Sequence, residues 1–142
     1  MSDVPSKIDD LSPLSALAPM LADMLGLVSN DIALVLDGGG VIQKVVLGGN
    51  DSEALRSTSA DWVGREMRDT VTESTRKKVE ELLSDVASRG VSRARQVNHP
   101  NPLGSDLPFT YTAVRLGSQG PLLAVGRDLR AVAAMQQRFI AT

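Results

Sequence analysis

Cysteine is absent from the 142-residue chain, which excludes a disulfide framework, a Cys-rich zinc site and thiolate chemistry. Aromatic residues are scarce: Trp62, Phe109, Tyr111 and Phe139 are the full set. The core must therefore be built from Val, Leu, Ile, Met and Ala. His99 is the only histidine, so a multi-histidine metal site is excluded. No apolar run approaches the roughly 20 residues that span a bilayer. The first ten residues carry Asp3, Asp9 and Asp10 in place of an apolar signal-peptide segment. Charge of one sign is also lacking, with a net charge of −2. The basic cluster Arg76-Lys77-Lys78 runs straight into Glu80 and Glu81, the pattern of a solvated helix face and not of a polyanion-binding surface. These absences predict a cytoplasmic chain with no membrane association and no direct nucleic-acid contact.

What remains is the composition of an ordinary soluble domain, 42% hydrophobic and 23% charged, of a length that fits one folding unit. Residues 1–12 are polar and rich in Ser, Asp and Pro, and read as a flexible leader. Residues 13–29 carry Leu14, Leu17, Met20, Leu21, Met24, Leu25 and Val28 at helical spacing, an apolar helix interrupted early by Pro19. Two β-branched runs, Asp31 to Leu36 and Val41 to Leu47, flank Asp37-Gly38-Gly39-Gly40 and read as a hairpin. A phosphate loop is the competing reading of the triple glycine. It fails because no Gly-Lys-Ser/Thr follows and a strand, not a helix, comes next. Residues 50–61 read as a polar loop.

Val71, Thr75, Val79, Leu82, Leu83 and Val86 form one apolar helical stripe, with Thr72 as the expected N-cap and Arg89-Gly90 as the stop. Three strands follow, over Val91 to Asn98, Leu107 to Leu116 and Pro121 to Gly126. His99 to Ser105, with two prolines, is the turn between the first and second. Asp128 to Ile140 is helical by propensity. The expectation is an α+β fold: a five-stranded antiparallel sheet covered by helices, with a further helix at each end.

That order, with its local segments, resembles a PAS domain. DIALVLDGGGVIQKVVLG is similar to the opening PAS hairpin, DWVGREMRDTV to the segment ahead of the long helix, and LLAVGRDLRAVAAMQQ to the passage from the last strand into a signalling helix. The resemblance covers roughly residues 30–130, giving a PAS domain over 30–127 and an exit helix over 128–142. GRDLRAVAAMQQRFI, DWVGREM and the apolar amino-terminal helix together resemble the first PAS domain of the PpsR/CrtJ repressors of photosystem genes. That family carries further PAS domains and a helix-turn-helix, which this sequence lacks. The resemblance therefore implies an input and assembly module, not an enzyme, acting on an output domain outside the chain.

Three residue sets follow from these readings. Leu34, Val46, Leu82, Phe109, Tyr111 and Leu123 would wall a pocket between sheet and long helix, or would simply fill the core. Leu17, Met20, Leu21, Met24, Leu129, Val132 and Phe139 would be half wet in a monomer, which predicts a symmetric homodimer through the flanking helices. Arg127, Asp128 and Arg130 sit where the last strand meets the exit helix. There Asp128 is expected to cap the helix and pair with a neighbouring arginine, linking sheet to helix. His99, in its turn, is expected at the surface. No cofactor is expected: the covalent flavin route needs a cysteine, and haem-binding PAS domains draw their ligand from the long helix, which has no histidine. A regulatory partner protein is compatible with this reading. So is a small-molecule or cofactor sensor from a different signalling protein. A small enzyme is disfavoured, since no catalytic set is visible.

Overall fold

The first hairpin is organised by Asp37. Its Oδ1 accepts the amides of Gly39 and Val41, each at 2.9 Å, an Asx-type turn that closes the chain on itself. The computed structural model describes residues 32–48 and 53–130. Strand β1 (Ile32–Leu36) enters this turn and β2 (Ile42–Leu47) leaves it, with a register shift between Val35 and Leu36. Gly40 has φ of +88°, and a Cβ there would lie 2.9 Å from Leu83 Cδ1. The glycines thus serve a tight turn against a packed helix.

Helix α1 (Glu53–Ser59) follows, where the sequence had predicted a loop. Its only deeply buried apolar residue is Leu55, so it leaves no periodic stripe to read. A 3-10 turn over Met67–Asp69 and another over Glu73–Thr75 lead into α2 (Arg76–Arg89). The helix buries Val79, Leu82 and Val86 and ends at Gly90, whose φ of 81° is the left-handed C-cap. Thr72 does not cap α2. Its amide is held by Asn98 O at 2.8 Å, and its hydroxyl meets Thr75 Oγ1 at 2.8 Å. The regular helix therefore starts after the second 3-10 turn.

Strands β3 (Arg95–His99), β4 (Leu107–Arg115) and β5 (Leu122–Asp128) complete one antiparallel sheet of five strands in the order β2-β1-β5-β4-β3. β5 runs two residues past its predicted end, because Asp128 still pairs with Phe109 and Leu129 N donates to Pro108 O at 2.9 Å. α2 is pinned to β3 by ions: Arg95 donates to Asp85 Oδ2 at 2.9 Å and to Glu81 Oε1 at 3.3 Å. The Arg95 bond holds the Asp85 carboxyl below the usual carboxylate range.

Strand alternation divides the sheet into two faces. Ile32, Leu34, Leu36, Phe109, Tyr111 and Ala113 join the helices in the main core. Ala33, Val35 and Leu123 form a second buried cluster with Val46, Leu116 and Val125 packed against it. None of the described helices contributes a side chain to that second cluster. The leader and both predicted flanking helices lie outside the described residues, apart from the first residues of the exit segment. So do Leu17, Met20, Leu21, Met24, Val132 and Phe139.

Candidate functional site

The main core contains a polar knot that the sequence reading missed. His99 ends β3 and is completely buried, not at the surface as expected. It falls on the same face of β3 as buried Val97, and this i, i+2 alternation was the available signal. Pro100 drew it into the turn instead. Trp62, delivered by the turn after α1, lies against the imidazole with ring centroids 4.3 Å apart. Phe109 and Tyr111 meet it edge-on at 5.5 and 5.6 Å.

Both ring nitrogens are satisfied. Nδ1 is 2.7 Å from Thr70 O and Nε2 is 2.8 Å from the Tyr111 hydroxyl. A backbone carbonyl only accepts, so Nδ1 carries the proton. In the neutral ring Nε2 is then an acceptor, and Tyr111 donates to it. Burial pushes the histidine pKa down to about 4, with the Thr70 bond opposing the shift. Burial, aided by the Asp128 carboxylate, pushes the Tyr111 phenol upward. His99 is therefore a neutral structural link at physiological pH, unsuited to general-base work.

The knot joins three parts of the fold. Thr70 belongs to the segment between the 3-10 turns, His99 to β3 and Tyr111 to β4. Tyr111 in turn presses on β5: a Cβ added to Gly126 would lie 2.5 Å from Tyr111 Cε1 and 2.8 Å from Ile32 Cγ2. Gly126→Ala is accordingly expected to lower stability by about 1–3 kcal/mol in urea unfolding, the range for an overpacked core. Unchanged stability would contradict the ring's placement.

The candidate pocket residues are not brought together. Leu34, Leu82, Phe109 and Tyr111 lie in the helix-covered core, whereas Val46 and Leu123 belong to the opposite face. The cause is register. Leu34 pairs with Val45 and Ala124, so Val46 and Leu123 stand one residue out of phase.

At the exit, Asp128 Oδ1 accepts the Arg130 amide at 2.9 Å, and Arg130 Nη2 meets Oδ2 at 2.6 Å. Arg127 is separated from this pair. It pairs with Thr110 across the strands and lines a hollow on the outer face with Thr112, Val125 and half-buried Leu129. Among the described residues no group of three or more His, Asp or Glu is placed to hold a metal ion, and no helix is long and apolar enough to cross a membrane.

No protein-family model matches the chain. Protein CrtJ of Rhodobacter capsulatus is 32% identical over 110 residues, which is 78% of this chain and 23% of CrtJ. The chain thus spans less than a quarter of that relative's length. Among solved structures, the PAS domain of an HTR-like protein from Haloarcula marismortui is 21% identical, with a TM-score of 0.50 over 82% of this chain and 95% of that one. The PAS domain of a protein from Colwellia psychrerythraea is 14% identical, with a TM-score of 0.55 over 81% of this chain and 96% of that one. A domain of a sensory box histidine kinase/response regulator from Geobacter sulfurreducens is also 14% identical, with a TM-score of 0.54 over 74% and 89% of the two chains. In fold the chain is a PAS domain, and in sequence it resembles CrtJ over most of its length.

Proposed function

We propose that the chain is a sensory and dimerisation module of a bacterial transcription regulator, passing a conformational bias by protein contact to a DNA-binding domain outside this sequence. The similarity to CrtJ carries this reading. Two features of the fold support it. In the main core Trp62, Phe109 and Tyr111 pack around a fully buried His99, and this self-contained packing favours an interaction module over a sensor with a core ligand. On the opposite face, Ala33, Val35 and Leu123 form a second apolar cluster with Val46, Leu116 and Val125 packed against it, a sheet face suited to contact with a further apolar segment.

We assign the dimer contact to the apolar residues Leu17, Met20, Leu21 and Met24, with Leu129, Val132 and Phe139 from the exit side. The Asp128–Arg130 pair, 2.6 Å at its shortest, would carry a shift of β5 into the exit segment. Sedimentation of the wild type against Met20→Asp/Met24→Asp tests the assembly. The wild type is expected to be dimeric and the variant monomeric, with affinity reduced well over tenfold, since each buried methionine is worth about 1.5–3 kcal/mol. A wild type that stays monomeric at high concentration contradicts the proposal.

A further inference from the structure

The end of β4 remote from His99 carries a cation at a core-facing position. Phe109, Tyr111 and Ala113 are buried on the helix side of the strand, and Arg115 continues that alternation, half-buried. Its amide donates to Gly90 O at 2.9 Å, which sets it beside the carboxyl end of α2. A cleft of about 270 Å³ opens there between the Gly38 turn, the second half of α2 and the turn joining β4 to β5. Leu83, Val86 and Leu122 supply its apolar wall, and Arg115, Ser118 and Gln119 its polar side.

The side-chain charge lining this cleft is of one sign. Arg65, Arg68, Arg76, Arg89, Arg95 and Arg130 each have an acidic partner. Among the described residues Arg115 has none, and no Asp or Glu is among the residues lining the cleft. An unpaired guanidinium beside a hydrocarbon wall selects a ligand with a carboxylate at one end and an aliphatic body at the other. Arginine binds carboxylates through two parallel N–H donors, and the wall rewards burial of methylene groups. The volume lies just below the roughly 300–1,000 Å³ of sites for drug-sized molecules, so it fits a short chain.

We propose that this cleft binds a short aliphatic carboxylate, with its acid group on Arg115, Ser118 and Gln119 and its chain against Leu83, Val86 and Leu122. The site is separate from the central aromatic knot and does not depend on dimerisation.

The test is a ¹H–¹⁵N NMR titration of the 142-residue chain with sodium hexanoate, hexylammonium chloride and 1-hexanol at matched ionic strength. Hexanoate is expected to give saturable shifts at the amides of Gly38, Ser118, Gln119 and Gly120, well beyond those of the other two. Arg115→Gln should raise the hexanoate Kd about tenfold, the equivalent of one charge-assisted hydrogen bond. Arg115→Lys should raise it less. Unchanged peaks elsewhere establish that the variants are folded. Absence of saturable shifts, equal shifts with hexylammonium, or an unchanged Kd in Arg115→Gln overturns the proposal. So does tighter binding, at the same residues, of a Leu-Glu peptide blocked at both ends, which would make the cleft a protein contact.

Discussion

Replacement of His99 by Ala is expected to remove about 3–5 kcal/mol of folding stability in urea titration. Three losses combine. The Thr70 carbonyl and the Tyr111 hydroxyl, bonded to the imidazole at 2.7 and 2.8 Å, are left buried without their partner, and unmade bonds of this kind cost more than made ones gain. The contact with Trp62 at a 4.3 Å ring separation disappears. The ring also leaves a cavity in a position that is fully buried. Domains have about 5–15 kcal/mol in total, so this variant stands near the limit of folding. Tyr111→Phe removes only the hydroxyl and is expected to cost about 1–2 kcal/mol. A loss below about 1 kcal/mol for His99→Ala would show that the knot is not closed as described.

Acid should destabilise the fold earlier than its carboxylates alone would dictate. His99 has a pKa of about 4 in the folded chain against an ordinary value of 6.5. Between those values the unfolded chain binds a proton that the folded chain refuses, so stability rises with pH across the window. The contribution is complete above about 6.5 and is lost progressively as pH falls towards 4. The full gap is worth about 3 kcal/mol. The cause is chemical as well as dielectric: an imidazolium would donate from Nε2 as well, and Tyr111 would have to give up its own donation. Asp85 acts in a lower window. Its folded pKa lies below 3.8, so its contribution is present above that value and fades only as pH drops further. Urea midpoints at pH 7, 6, 5 and 4.5 check the prediction, with His99→Gln as the reference that lacks a titrating ring. Parallel curves for the two proteins would contradict it.

The sheet was legible because its strands obey simple alternation. Leu107, Phe109, Tyr111 and Ala113 bury one side of β4 while Thr112 and Val114 face out, and the α2 stripe of Val79, Leu82 and Val86 repeats at helical spacing. Helix α1 was hidden because Leu55 is its one deeply buried apolar residue, with only the small Ala54 packed beside it. The pocket set failed on parity. Val46 and Leu123 belong to apolar runs that are substantially covered on both faces, where hydrophobicity no longer tells one side from the other. His99 was misjudged for a related reason. A polar residue before Pro100 reads as turn, and its burial depends on two partners, Thr70 and Tyr111, that are 29 and 12 residues distant in sequence. Such pairing is a tertiary property without local pattern. The Asp128–Arg130 contact was readable because both partners lie within two residues.

The most direct test of the closed core exploits the single histidine of the chain. Its imidazole ¹⁵N resonances, followed by NMR from pH 7.5 to 5, should show a neutral ring protonated at Nδ1, bare at Nε2 and free of titration across that range. A ring that titrates near 6.5 would mean a core open to solvent, and one protonated on Nε2 would mean that the Thr70 bond is not made; either result contradicts the closed knot around His99.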